Sequence, residues 1–279
     1  MTGNLVTTQW LTDHLDDPLV LVLDASWHLP AAKRNAHEEF LASHIPGAAF
    51  FDLDASSDQH TALPHMLPAP EKFAADLKRL GATDAKHIVC YDAVGLFSAA
   101  RLWWMLKWFG HERVSVLDGG LLKWKSEGRS LQSGENERTE ARHFTPHLKP
   151  EIVRTLNDVV AALESKSAQL VDARSPTRFR GEEPEPRPGV KPGHMPGAHN
   201  VHYSALINAD STLNGKAELR AAFETAGVDL NKPVITSCGS GVTAAILFLA
   251  LTELGHDKTS LYDGSWAEWG ASGQEIATG

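Results

Sequence analysis

The sequence predicts an α/β protein of two tandem domains, each a parallel sheet flanked by helices. Two observations carry this expectation. Short, continuously apolar runs alternate with helical patterns, as in a parallel sheet covered on both faces. The chain also repeats itself at long period. Leu21-Val22-Leu23-Asp24-Ala25-Ser26 recurs as Leu170-Val171-Asp172-Ala173-Arg174-Ser175. His44-Ile45-Pro46-Gly47-Ala48 recurs as His194-Met195-Pro196-Gly197-Ala198, an offset of 194 − 44 = 150. Leu117-Asp118-Gly119-Gly120 and Trp124 recur as Tyr262-Asp263-Gly264-Ser265 and Trp269, an offset of 263 − 118 = 145. That period is one domain length, far beyond any solenoid repeat.

The elements follow in order. In the first copy, 19–24 and 88–91 read as buried strands. Residues 70–81 read as a helix with an early proline, Pro70, and a glycine stop, Gly81. Residues 98–109 read as another, closed by Gly110. In the second copy, 155–164, 216–226 and 242–254 read as helices. The polar stretch from Ser130 to Lys149 lacks amphipathic periodicity. The expected domains are therefore 1–130 and 150–279, with 131–149 as a linker.

Within this plan one stretch carries chemistry. The apolar run Val234-Ile235-Thr236-Ser237 ends at Cys238, and Gly239-Ser240-Gly241-Val242-Thr243 leads into a helix. The thiol is expected at the C-terminal end of a strand and the N-terminus of a helix. Loop amides and the helix dipole there favour negative charge and lower a thiol pKa. The alternative is a buried structural thiol. Aligning the repeats puts Asp92 where Cys238 sits, so the first copy has no nucleophile at that place. Cys90 lies two residues earlier, inside a strand, and is expected to be structural.

Composition removes several function classes. A formal net charge of −9 disfavours nucleic acid and anionic membranes as partners. No apolar run approaches the roughly 18 residues of a membrane span. Two cysteines cannot form a disulfide scaffold for a chain of 279 residues. The low cysteine count suits a reducing cytosol, and residues 1–17 have neither signal-peptide nor transit-peptide character, so the expected location is cytoplasmic; a mature organellar protein with its presequence removed would read the same. His194, His199 and His202 fit no usual zinc spacing, and no Walker-type phosphate loop is present. No metal and no cofactor are expected. The Trp103-Trp104 and Trp266/Trp269 pairs are expected to pack in the core or between domains.

Tandem domains of this plan, with a cysteine only in the second, resemble the rhodanese family of sulfurtransferases. The His-x-Pro-Gly-Ala boxes, the Asp-Gly-Gly/Ser…Trp boxes and the cysteine loop carry the resemblance, which covers nearly the whole chain. Cys238-Gly239-Ser240-Gly241-Val242-Thr243 is similar to the family's mercaptopyruvate-using branch. Thiosulfate-preferring members have Arg and Lys directly after the cysteine, where Gly239 and Ser240 stand here. The resemblance thus implies two rhodanese-like domains and a Cys238 persulfide. It implies that sulfur passes from 3-mercaptopyruvate to an acceptor such as cyanide, a small thiol or thioredoxin, releasing pyruvate, with thiosulfate activity minor. A monomer is expected.

It also implies site residues. Arg178 and Arg187 of the stretch 178–187 match the substrate arginines, which would hold a carboxylate and adjacent ketone. Gly239, Gly241, Val242 and Thr243 complete the substrate-binding set. Ser240, His65 and Asp54 match a Ser-His-Asp relay, which would set the active site between the domains. The residues alone leave alternatives open. Without the resemblance, each arginine reads first as a surface charge or a salt-bridge partner of Glu182, Glu183 or Glu185. His65 reads as a loop histidine beside His60, and Asp54 as a turn carboxylate. A cysteine loop at a strand–helix junction also evokes the tyrosine phosphatases, but Val242-Thr243-Ala244-Ala245 lacks their phosphate-binding arginine. A non-catalytic binding module of the same fold would not need Cys238, Arg178 or Arg187.

Overall fold

Runs of buried aliphatic residues become the strands of two separate sheets. A computed structural model describes residues 3–136 and 139–279. The first sheet comprises β1 (Leu5–Val6), β2 (Val20–Asp24), β3 (Ala49–Phe50), β4 (His87–Tyr91) and β5 (Val114–Leu117). Its strand order is β1-β5-β4-β2-β3, all pairs parallel. Helices α1 (Thr8–Asp13), α2 (Ala36–Ala42), α3 (Pro70–Arg79), α4 (Ala99–Trp108) and α5 (Gly120–Ser126) alternate with them.

The second sheet repeats the plan with β6 (Val153–Arg154), β7 (Gln169–Asp172), β8 (His199–Asn200), β9 (Val234–Ser237) and β10 (Thr259–Tyr262). Its order, β6-β10-β9-β7-β8, is the first order advanced by five strands, and its pairs are also parallel. Helices α6 (Leu156–Ser165), α7 (Pro176–Arg180), α8 (Lys216–Thr225), α9 (Ala244–Glu253) and α10 (Ser265–Trp269) complete it. The α/β class and the duplicated plan are as the sequence predicts.

The chain divides into two compact units. One is Met1–Gln59, Leu67–Lys149 and Asn208–Leu213; the other is His60–Met66, Pro150–Ile207 and Asn214–Gly279. Each unit therefore includes one short segment from the opposite half of the sequence. Of the stretch 131–149, expected as a linker, the described residues 131–136 and 139–149 belong to the first unit. Gln132 bridges to His44, the Phe144 ring is buried, and the Thr145 amide donates to Asp84 at 2.7 Å.

Local chemistry sets the helix ends. Thr155 caps α6 with a reciprocal box: its hydroxyl accepts from the Asp158 amide, and the Asp158 carboxylate accepts from the Thr155 amide at 2.8 Å. The expected helix 155–164 thus begins one residue later than the motif suggests. α4 ends before Gly110, whose φ is 83°. A Cβ there would lie 2.3 Å from the His147 carbonyl oxygen, so only glycine fits.

Each unit has its own core. In the first, Leu11, Val22, Phe40, Val89, Leu117 and Trp124 pack together. In the second, Val159, Leu170, Ile235, Tyr262, Trp266 and Trp269 do so. The tryptophan pairs are accordingly buried. The His-x-Pro-Gly-Ala boxes are built alike: His44 Nδ1 bonds the Phe40 carbonyl and His194 Nδ1 the Phe179 carbonyl, both at 2.8 Å. Each imidazole stacks on that same phenylalanine. His44 follows its phenylalanine by 44 − 40 = 4 residues and His194 by 194 − 179 = 15, so the second unit carries 11 extra residues here. That insertion holds Glu185 and Arg187.

Candidate active site

Cys238 follows directly on β9, and α9 begins six residues later at Ala244. The thiol is free and 2 % exposed. The start of α10 holds its peptide in place. The Cys238 carbonyl accepts from the Trp266 amide and the Gly239 carbonyl from the Ala267 amide, both at 2.9 Å. The Cys238 amide donates to Ser265 Oγ at 3.3 Å, and that hydroxyl donates to the Tyr262 carbonyl. The Asp263-Gly264-Ser265-Trp266 box was visible in the sequence only as a repeat mark. Its local task, fixing the cysteine's backbone, was not foreseen.

The first unit shows what such a loop can hold. Strand register makes Asp24 the twin of Asp172 and Tyr91 the twin of Ser237, so Asp92 is the twin of Cys238. The wholly buried Asp92 carboxylate accepts from five backbone amides. Val94 and Gly95 donate to Oδ1 at 2.9 Å. Phe97, Ser98 and Ala99 donate to Oδ2 at 2.8–2.9 Å. This is a nest of amides at a helix N-terminus closed around an anion. Gly95 has φ 112° and its twin Gly241 has φ 77°, so both loops turn through the left-handed region at the same place. The Asp92 carbonyl accepts from the Leu121 amide at 3.0 Å, repeating the bond from Trp266 to Cys238.

Ser240 and His65 meet. His65 Nδ1 lies 2.9 Å from Ser240 Oγ, and both side chains are buried. His65 belongs to the segment 60–66 that joins the second unit, and its φ is +60°. A non-glycine residue in that region is uncommon and marks a constrained position. Asp54 belongs to the first unit, where both its carboxylate oxygens accept from Trp27 Nε1, at 3.2 and 3.0 Å. Val242 is buried and Thr243 half-buried beyond the Gly241 turn.

The arginines part company. Residues 176–180 form α7 rather than an extended loop, because Ser175 caps the helix and Pro176 starts it. Arg178 and Arg180 point apart, since two residues on a helix differ by about 200°. Arg178 turns toward the cysteine loop: a Cβ added at Gly239 would lie 3.1 Å from its Nη2. It also pairs with Glu185, Nε to Oε1 at 3.2 Å and Nη2 to Oε2. Arg180 pairs with Glu182 at the surface. Arg187 is half-buried in the inserted loop.

Sequence reasoning missed Arg174. Its guanidinium is enclosed by Asp172 (Nη2 to Oδ2, 2.7 Å), Glu185 (Nη1 to Oε1, 2.8 Å) and the Gly193 carbonyl (2.8 Å). It sits 4.3 Å over the Trp266 ring. Burial draws its pKa down, but the two carboxylates outweigh burial and hold it above the usual arginine range. Glu185 therefore ties a buried cation to Arg178 at the loop. An arginine two residues after a strand's last aspartate was the available signal.

Cys90 lies within β4, wholly buried, and burial pushes its thiol well above the ordinary range. His194 serves its box, His199 Nδ1 bonds the Ala226 carbonyl and His202 bonds Ser204, so the three histidines are occupied separately. Among the described residues no group of three or more His, Cys, Asp or Glu could hold a metal ion. Among them, too, no helix is long and apolar enough to cross a membrane.

Comparison with known proteins follows from this geometry. The rhodanese-like domain family matches twice, over residues 7–127 and 155–272. The 3-mercaptopyruvate sulfurtransferase of Escherichia coli is 46% identical over 267 residues, covering 95% of this chain and 94% of that protein. The human 3-mercaptopyruvate sulfurtransferase is 44% identical over 271 residues, covering 95% and 91%. The crystal structure of SseA from Escherichia coli, described as a 3-mercaptopyruvate sulfotransferase with the rhodanese fold, superposes with a TM-score of 0.87 at 44% identity, covering 95% of this chain and 99% of that one.

Proposed function

The chain belongs to the rhodanese-like family, and on that premise we propose that it moves the sulfur of 3-mercaptopyruvate to a thiol or cyanide acceptor through a persulfide on Cys238. One observation carries the reading. The loop that in the first unit folds five amides around a carboxylate bears, in the second unit, a thiol at the carboxylate's position. A cradle built for an anion stabilises both the attacking thiolate and the persulfide.

The chemistry divides into two steps. Cys238 thiolate attacks the donor sulfur, a new S–S bond forms and the donor's C–S bond breaks. The bonding pair leaves on carbon as the enolate of pyruvate, which takes up the donor thiol's proton. An acceptor then attacks the outer sulfur and the S–S bond breaks, returning the thiolate; cyanide leaves as thiocyanate. A small thiol or thioredoxin attacks in the same sense and leaves as its own persulfide.

The surrounding residues take roles in keeping with their places. Ser240 Oγ, bonded to His65 Nδ1 at 2.9 Å, donates toward the donor's carbonyl or relays its proton through the imidazole. Asp54 keeps the orienting role that the family resemblance gives it. Arg178, beside Gly239, binds the donor carboxylate, and Arg187 of the inserted loop assists. Gly239, Gly241, Val242 and Thr243 line the donor's approach. Two free cysteines fit a reducing, cytoplasmic setting.

The test compares specificity constants for mercaptopyruvate and thiosulfate, with cyanide as acceptor, in wild type, Ser240→Ala and Gly239→Arg/Ser240→Lys. Wild type is expected to prefer mercaptopyruvate. Ser240→Ala should slow mercaptopyruvate more than thiosulfate. The double variant crowds Arg178 and adds charge suited to a sulfonate, so the ratio should move toward thiosulfate. A wild-type preference for thiosulfate, or one ratio across all three proteins, refutes the donor assignment.

A further inference from the structure

We propose that the first unit contains a binding site for a small guanidinium-type cation, in the cavity beside Asp24. The duplicated fold supplies the occupant's outline. In the second unit, the Arg174 guanidinium fills a space walled by Asp172, Gly193 and Trp266. The twins of these residues in the first unit are Asp24, Ser43 and Leu121, and the twin of Arg174 itself is Ser26. Serine and leucine stand where arginine and tryptophan would fill the space. A cavity of about 290 Å³ results, lined by Asp24, Ser26, Ser43, Ala93 and Leu121. That is well above the roughly 10–15 Å³ that admits a single water.

The acceptors remain in place. The Asp24 carboxylate accepts from the Ser26 amide at 2.9 Å, from the Ser26 hydroxyl and from the Tyr91 hydroxyl. A carboxylate has about four lone-pair sites, so this shell still leaves capacity for another donor. Glu39 also lines the cavity, bonded to Arg34 and His28, and stands as the second carboxylate that Glu185 provides in the other unit. Asp172 has a buried cation against it, whereas burial raises Asp24 to about 6. Arg34 and Lys125 line the cavity too and balance the two carboxylates in charge. Selection therefore rests on shape: a planar fork of N–H donors matches a carboxylate, and a compact ammonium does not.

The experiment titrates the full chain with methylguanidinium chloride at pH 8, at constant ionic strength, by calorimetry and thermal unfolding. Methylammonium chloride and sodium sulfate are the comparison probes. Saturable binding of methylguanidinium is expected, at least tenfold tighter than methylammonium. Asp24→Asn should weaken it at least tenfold. Ser26→Arg should abolish it by refilling the space, and Leu121→Trp should weaken it by narrowing the cavity with its hydrogen-bonding shell intact. Absence of saturable binding in wild type overturns the proposal. Equal binding by folded Asp24→Asn places the ion elsewhere and overturns it too. Saturation by sulfate alone would mean that Arg34 and Lys125 make an anion site instead.

Discussion

Asp92→Asn is the sharpest perturbation of the amide cradle, because it removes charge with almost no change of shape. The carboxylate accepts five backbone N–H bonds in a wholly buried position. An asparagine has one acceptor oxygen and one NH₂ donor. In either orientation its NH₂ faces two or three N–H donors that then lose their acceptor. A hydrogen bond to a charged group contributes about 1.5–3 kcal/mol, so losing two removes about 3–6 kcal/mol. Burying an amide rather than a carboxylate returns part of this. The net expectation is destabilisation of about 3 kcal/mol. Urea unfolding followed by tryptophan fluorescence gives the total, and amide hydrogen exchange at Gly95, Ser98 and Ala99 localises it, since the two units need not unfold together. A loss below about 1 kcal/mol, or unchanged protection of those amides, would refute the view that this loop is built around an anion, and with it the ground for placing a thiolate at Cys238.

Other outcomes follow from the same structure. Cys238→Ser is expected to abolish pyruvate release and the added sulfur mass on the protein, while Cys90→Ser keeps most activity; equal loss in both folded variants would overturn the assignment. Arg178→Ala is expected to cost roughly 2–4 kcal/mol in kcat/KM for mercaptopyruvate, with incomplete rescue by Arg178→Lys; an unchanged kcat/KM would remove Arg178 from the donor site. The raised Asp24 pKa, about 6 against 3.8, makes its protonated form favour folding. That stability is fully present below about pH 3.8 and lost as pH rises through about 6, a difference of about 3 kcal/mol. The stability gap between Asp24→Asn and wild type should therefore widen across that window in pH-dependent unfolding, and a gap that stays flat would contradict it.

Much of the architecture was legible because its signals are local. Strands such as β2 and β4 are continuous apolar runs, and α3, α4, α6, α8 and α9 each span ten residues. The edge strands β1, β3, β6 and β8 are two residues long, too short for any periodicity, and exist only through pairing. α7 was not legible, because five residues beside a proline-rich stretch show no helical period. At the site, residue types were readable but distances were not. Ser240 and His65 lie 175 positions apart, and nothing between them in the sequence encodes their 2.9 Å approach. Arg174 was passed over because its partners come from a strand end, an insertion and a helix that only folding gathers.

The exchange of residues 60–66 and 208–213 between the halves bears on how this protein can evolve. A gene fragment cut at the repeat boundary would encode the thiol without the histidine that touches Ser240. The complementary fragment would encode that histidine beside a loop already occupied by Asp92. Neither half of the duplicated sequence therefore encodes the whole of its own unit. A change in residues 60–66 falls on the side chain that touches Ser240, while leaving the second half of the sequence untouched.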